Sequence, residues 1–139
     1  MKLLIDTNVI IDILERREPF FTNSYKVIQL SLEGKLEAVM SAGAVTDVYY
    51  IISRSLRDKN KAREKIIGLT TLISICDTFA VDINNALPLN MPDFEDAVVA
   101  AIAKREKTNY IVTRNEADFI NSPVPAISPT EFLAMLEEN

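Results

Sequence analysis

An α/β fold with a mostly parallel central sheet is the architecture to which this 139-residue sequence points. Three observations carry that reading. Short apolar runs alternate with amphipathic segments from one end of the chain to the other, and such alternation is the mark of βα units. Two of the runs end directly in small polar or acidic residues: Leu3-Leu4-Ile5 in Asp6-Thr7-Asn8, and Tyr110-Ile111-Val112 in Thr113-Arg114-Asn115. Ligands and catalytic groups gather beyond the carboxyl ends of strands in open α/β sheets. No repeat, low-complexity tract or long linker breaks the pattern, so a single domain over 1–139 is expected.

The elements follow in order. Residues 2–5 read as the first strand. A short helix over 8–14 starts with Asp6 or Thr7 near its cap and ends at the charged Glu15-Arg16-Arg17-Glu18 and Pro19. Tyr25, Ile28 and Leu32 fall at helical spacing within 23–32, and Gly34 stops that helix. Residues 38–40 read as the second strand. Ser41 then caps a helix in which Val45, Val48, Tyr49, Ile52 and Leu56 recur on one side. A polar break at Asp58-Lys59-Asn60 precedes a helix over 61–69. The third strand is expected at 72–76, a short helix at 81–87 before Pro88, and the clearest helix of the chain, alanine-rich, at 93–107. Residues 110–112 and 125–127 complete the sheet, and a helix over 130–136 closes the chain. The loops after strands 1, 2 and 4 should therefore open on one edge.

Composition narrows the chemistry. An apolar share of 48% and a charged share of 25% match an ordinary globular protein. No stretch approaches the roughly 18 apolar residues of a membrane span. The sequence opens directly on its first strand, with no leader pattern. One cysteine, Cys76, excludes an intramolecular disulfide, reads as a packing residue and suits the cytoplasm. With no histidine there is no imidazole base for a Ser-His or Cys-His pair and no structural zinc site. Carboxylates, lysine, tyrosine or a metal-bound water must then carry any chemistry near neutral pH.

The carboxylates are the candidates, and each has a plain structural reading beside the functional one. Asp6 sits where a strand tip presents a ligand and equally where a helix cap belongs. Asp12, among Ile10, Ile11, Ile13 and Leu14, is expected to face solvent. Asp47 precedes Val48-Tyr49-Tyr50-Ile51-Ile52, apolar nearly all round, so its helix is expected to be sandwiched in the core. A carboxylate buried there needs a cation or several donors, although a first-turn acid is also favoured by the helix dipole. Asp93 reads as the N-cap of the long helix. Asp96, one turn in at the edge of the small-residue face Ala97-Val98-Val99-Ala100-Ala101, is placed to meet Asp6 across the sheet edge. Asp6, Asp47 and Asp96 thus come from three elements that converge. Grouped carboxylates repel unless a cation neutralises them, and hard oxygen ligands suit Mg²⁺ or Mn²⁺. Such an ion activates water and offsets charge on a phosphodiester. Thr113 and Asn115 add neutral oxygens, though a polar loop after a strand reads the same way.

Taken together, Leu4-Ile5-Asp6-Thr7-Asn8-Val9-Ile10, Thr46-Asp47-Val48-Tyr49-Tyr50-Ile51, Asp93-Phe94-Glu95-Asp96-Ala97 with Ala103-Lys104, and Tyr110-Ile111-Val112-Thr113-Arg114-Asn115 with Asp118-Phe119 make the chain resemble a PIN-domain protein. The resemblance is to the kind that includes toxin ribonucleases of bacterial toxin–antitoxin pairs. It implies a three-layer α/β/α fold and a Mg²⁺- or Mn²⁺-dependent endoribonuclease, commonly a homodimer, held inactive by a small antitoxin. The family's first and third acids fall on Asp6 and Asp96. Its second, usually glutamate, falls on Asp47, and its fourth, often aspartate, on Asn115, with Asp118 as the substitute. Asp6, Asp47 and Asp96 are then the expected metal ligands, with Asn115 completing the catalytic set.

For substrate contact the sequence offers Asn8, Thr113 and Arg114 beside the site and the basic segment 54–65. That segment holds Arg54, Arg57, Lys59, Lys61, Arg63 and Lys65 against two acids, in a chain of net charge −5. It reads either as a phosphate clamp for RNA or as a solvated helix hairpin. Lys104, Arg105 and Lys107 close the long helix and complement its dipole. Two other functions compete. A PIN-like module that binds RNA or protein with its catalytic set eroded is made credible by Asp47 and Asn115. A phosphoaspartate receiver or phosphatase fails because Asp6-Thr7-Asn8 lacks a second aspartate two residues on.

Overall fold

A computed structural model describes residues 1–138. Five parallel strands form one sheet in the order β3-β2-β1-β4-β5. They are β1 Lys2–Ile5, β2 Glu37–Ser41, β3 Ser74–Cys76, β4 Tyr110–Val112 and β5 Ala126–Ile127. Between and around them lie α1 Thr7–Leu14, α2 Phe20–Leu32, α3 Ala42–Leu56, α4 Lys59–Leu72, α5 Ala80–Ala86, α6 Phe94–Arg105 and α7 Pro129–Glu137, with a 3-10 turn at Glu116–Phe119. The register sets Leu4 opposite Val39 on one side and Ile111 on the other.

The strand period of two sorts the core into layers. Leu3, Ile5, Met40 and Val112 point to one face and pack with Val9 and Ile10 of α1, Ile28 of α2, Val48 and Ile52 of α3, Leu69 of α4 and Phe132 of α7. Leu4, Val39 and Ile111 point to the other, against Ala100, Ile102 and Ala103 of α6 and Phe119. This is the expected three-layer α/β/α arrangement. The alanines of α6 let that helix approach the sheet closely.

Two boundaries and the setting of one helix differ from expectation. Leu72 and Ile73 finish α4 rather than open β3, and the Ile73 N–H bonds the Leu69 carbonyl at 3.0 Å. An apolar run facing the core looks the same in either state. Helix α2 starts at Phe20, directly after Pro19. Helix α3 is not sandwiched: Tyr50 is 61% exposed and Ile51 38% exposed, while Val48 and Ile52 are buried. No described helix is long and apolar enough to cross a membrane.

Candidate functional site

All five strands run the same way, so their carboxyl ends form one lip. Asp6 follows β1 directly, Ser41 ends β2, Thr78 stands two residues past β3, and Thr113 follows β4. The Asp6 backbone continues the sheet through its N–H, which donates to the Val112 carbonyl at 2.9 Å. Its side chain is 8% exposed and accepts from the Thr7 N–H at 2.9 Å, the Thr113 hydroxyl at 2.9 Å and the Asn8 amide at 3.3 Å. Asp6 therefore caps α1 and faces the lip at once. Asn8 is a brace rather than a free contact. Its amide donates to Thr113 Oγ1 at 3.1 Å, and its Oδ1 accepts from the Arg114 N–H at 3.1 Å, tying the tips of β1 and β4 together.

The lip opens into a cleft of about 810 Å³. Asp6, Asp47, Asp96 and Asn115 all line it, with Glu95, and no lysine or arginine does. Tyr50, Ile51, Ile83 and Phe94 supply an apolar wall. Four carboxylates with no cation in the lining set up the repulsion expected of such a group. Asp96 bears most of it: burial first, then Asp6, Asp93, Asp118 and Glu95, push its carboxyl up to about 6. Burial also raises Asp6, opposed by the bonds from Thr113 and Thr7, and Asp118 raises it further. Asp118 acts electrostatically on both acids but does not line the cleft, whereas Asn115 does. Thr78, whose Oγ1 accepts the Gly43 N–H at 3.2 Å, also lines the cleft. The same signal that marks Asp6, a polar group just past a strand, is present in Asp77-Thr78 after β3.

Several expectations need correction. Among the described residues no three histidine, cysteine, aspartate or glutamate side chains stand close enough together to hold one metal ion. Asp6, Asp47 and Asp96 share a cleft without closing on one point. Asp47 is exposed rather than buried, because α3 turns its Asp47–Tyr50–Ile51 face outward. Asp12 does not face solvent: it is 0% exposed and paired with the Arg114 guanidinium, with Nη2 at 3.2 Å from Oδ1. Arg114 also stacks on the Phe20 ring, 4.0 Å from its centroid, so its side chain is turned away from the acids. Arg54 reaches the cleft wall only through Tyr50, whose phenol accepts from its Nη1 at 2.8 Å, and Arg57 does not line the cleft. Arg105 does more than meet a helix dipole: it pairs with the fully buried Asp82 at 2.8 Å and donates to the Asp77 carbonyl at 2.6 Å.

The donor chemistry nevertheless fits a hard divalent cation. Every donor in the cleft is oxygen, Asp6 and Asp96 are electrostatically coupled, and no basic side chain among the lining residues neutralises them. Mg²⁺ commonly takes one or two carboxylates and keeps several waters, so a three-acid cage is not required.

The model of the PIN domain family matches residues 2–117. Ribonuclease VapC1 of Aquifex aeolicus (strain VF5) is 28% identical over 136 residues, covering 94% of this chain and 92% of that protein. Among solved structures, VapBC2 from Rickettsia felis, bound to a DNA fragment from its promoter, superposes with a TM-score of 0.74 at 18% identity, over 92% of this chain and 98% of that one. VapC20 of Mycobacterium tuberculosis, described as a sarcin-ricin loop cleaving toxin, superposes with a TM-score of 0.58 at 14% identity, over 78% and 86%. A family model running from the first strand through the loop after β4 leaves one conclusion: the chain belongs to the PIN domain family.

Proposed function

We propose that this protein is a divalent-metal-dependent endoribonuclease, the toxin of a toxin–antitoxin pair, acting in the cytoplasm on RNA as a single domain. The observation that carries the reading is a cleft at the strand ends lined by four carboxylates and by no basic side chain. The similarity to Ribonuclease VapC1 and the fold shared with VapBC complexes support the activity and an antitoxin partner. A homodimer is part of the same proposal.

Asp6 and Asp96 are assigned to hold the ion, with Asp47 adding negative charge from the rim, Asp118 acting on both acids from outside the lining, and Asn115 offering a neutral oxygen. When bound, Mg²⁺ or Mn²⁺ supplies a Lewis acid that favours ionised water and offsets phosphodiester charge. The chain's own residues do the rest. Thr113 and Asn8 fix the Asp6 carboxylate through their hydrogen bonds. The apolar wall of Tyr50, Ile51 and Phe94 limits water on one side of the cleft, and Arg54 beside Tyr50 offers positive charge to a strand entering along α3. Incubating the purified protein with mixed RNAs and Mn²⁺, with and without chelator, tests the reading. Cleavage that stops with chelator and in Asp6→Asn and Asp96→Asn supports it; chelator-resistant cleavage, or none at all, overturns it.

A second reading, a PIN-like module that binds RNA or protein without cutting, is favoured by one observation: no three acids among the described residues converge to metal-holding distance. RNA retained on the protein with no Mn²⁺-dependent cleavage is its signature.

A further inference from the structure

A second, smaller pocket of about 210 Å³ opens on the same strand-end lip, between α2, the loop after β4 and the start of α7. Phe20, Ser24, Arg114, Ser128, Pro129 and Thr130 line it. This lining is the electrostatic opposite of the acidic cleft: one guanidinium, three hydroxyls and no carboxylate. Ser24 is 0% exposed, and its hydroxyl has no hydrogen-bond partner among the described residues. A buried hydroxyl is rarely left so, because the unmade bond costs free energy. Arg114 spends Nε and Nη2 on Asp12, and its Nη1 bonds no described residue. The start of the nine-residue α7 contributes its dipole and the Thr130 N–H, which makes no hydrogen bond to a described residue. Thr130 Oγ1 accepts from Asn23 at 3.0 Å and Ser128 Oγ accepts from the Glu131 N–H at 3.1 Å, so both hydroxyl protons remain to be donated. Glu116 and Glu131 lie outside the lining, so neither is a free anion in the pocket itself, and burial first, then Glu131, raises the Glu116 carboxyl.

We propose that this pocket binds a phosphate group, through Arg114 Nη1, the Ser24 and Thr130 hydroxyls and the Thr130 N–H. Arg114 lines it while the next residue, Asn115, lines the acidic cleft, so a strand crossing the Thr113-Arg114-Asn115 loop meets both. The phosphate is that of an RNA strand lying in the cleft, and only this choice of source rests on the ribonuclease reading.

The test is ¹⁵N-edited NMR on the full chain in chelator, titrated first with inorganic phosphate and separately with a short oligoribonucleotide. The Thr130 amide and Arg114 Nε–H resonances should move with both. Ser24→Ala and Thr130→Val, neither of which touches the Asp12–Arg114 pair, should each weaken phosphate binding by about tenfold, as expected for one hydrogen bond to a charged group. No movement with either ligand, or variants that titrate like the wild type, overturns the site. Movement with phosphate alone assigns the site to free phosphate and overturns the RNA source. Absence of Mn²⁺-dependent cleavage with these shifts intact removes the nuclease reading and leaves the pocket standing.

Discussion

Asp96 carries the repulsion of the cleft in its own titration. Its carboxyl rises from the ordinary 3.8 to about 6 in the folded chain, through burial and four neighbouring acids. A group that binds its proton more tightly when folded contributes stability below its unfolded pKa and loses it as pH climbs through the folded value. The chain should therefore become less stable between about pH 4 and pH 6 on account of this residue. Asp96→Asn removes the penalty. In chelator its melting temperature should exceed that of the wild type at pH 7.5, and the gap should narrow by pH 4.5; a variant less stable at both values would mean that the carboxylate is structural. Asp12 is held by a partner instead. It is fully buried with a single cation against it, and removing one member of such a pair strands the other. Arg114 keeps access to water, so Asp12→Ala should cost about 2 kcal/mol by urea denaturation, below the fully buried range.

Helix α6 carries the acid from its first turn, and its start depends on Asp93, whose carboxylate accepts the Asp96 N–H at 3.0 Å. Asp93→Ala should lower stability by about 1 kcal/mol, whereas Asp93→Asn keeps an acceptor and should cost only a few tenths. If the two variants denature alike, the bond has no capping role. What could be read from sequence divides along the same line, between local causes and partners. Caps, strand tips and the alanine face of α6 have local causes: a side chain reaching three residues on, or a period of two, is written into the residues themselves. Exposure of α3 is set by a partner. The stripe of Val45, Val48, Tyr49 and Ile52 meets the core and leaves Tyr50 and Ile51 on the other side. Only their apolar character suggested a second partner, and nothing among the described residues covers them. Asp12 failed for the same reason in reverse. Its counter-ion, Arg114, is 102 residues away, so the apolar neighbours that made it look like an outward-facing exception were in fact its surroundings. The Ser24 pocket was invisible because α2, β4 and α7 meet only in the folded chain.

Binding of a cation by the folded chain alone must raise its stability by mass action, whichever acids hold the ion. Unfolding separates Asp6, at the tip of β1, from Asp96, ninety residues later on α6, so the denatured chain keeps little of the affinity. At a hundredfold excess over the dissociation constant the gain is about 2.7 kcal/mol. For a chain of this length that is a rise in melting temperature of roughly 5–10 °C. Mn²⁺ should produce that rise in the wild type, and chelator should reverse it. Asp6→Asn should abolish most of it. The same substitution keeps an oxygen to accept the Thr7 N–H, so α1 should stay capped and the variant folded in the absence of metal. Asp47→Asn should lose less, because Asp47 is exposed on the rim and contributes through potential rather than through a fixed position. A Mn²⁺ shift equal in all three proteins would place the ion elsewhere on an acidic surface. No shift in any of them would leave four carboxylates without the cation that justifies their company, and the nuclease assignment would fall with it.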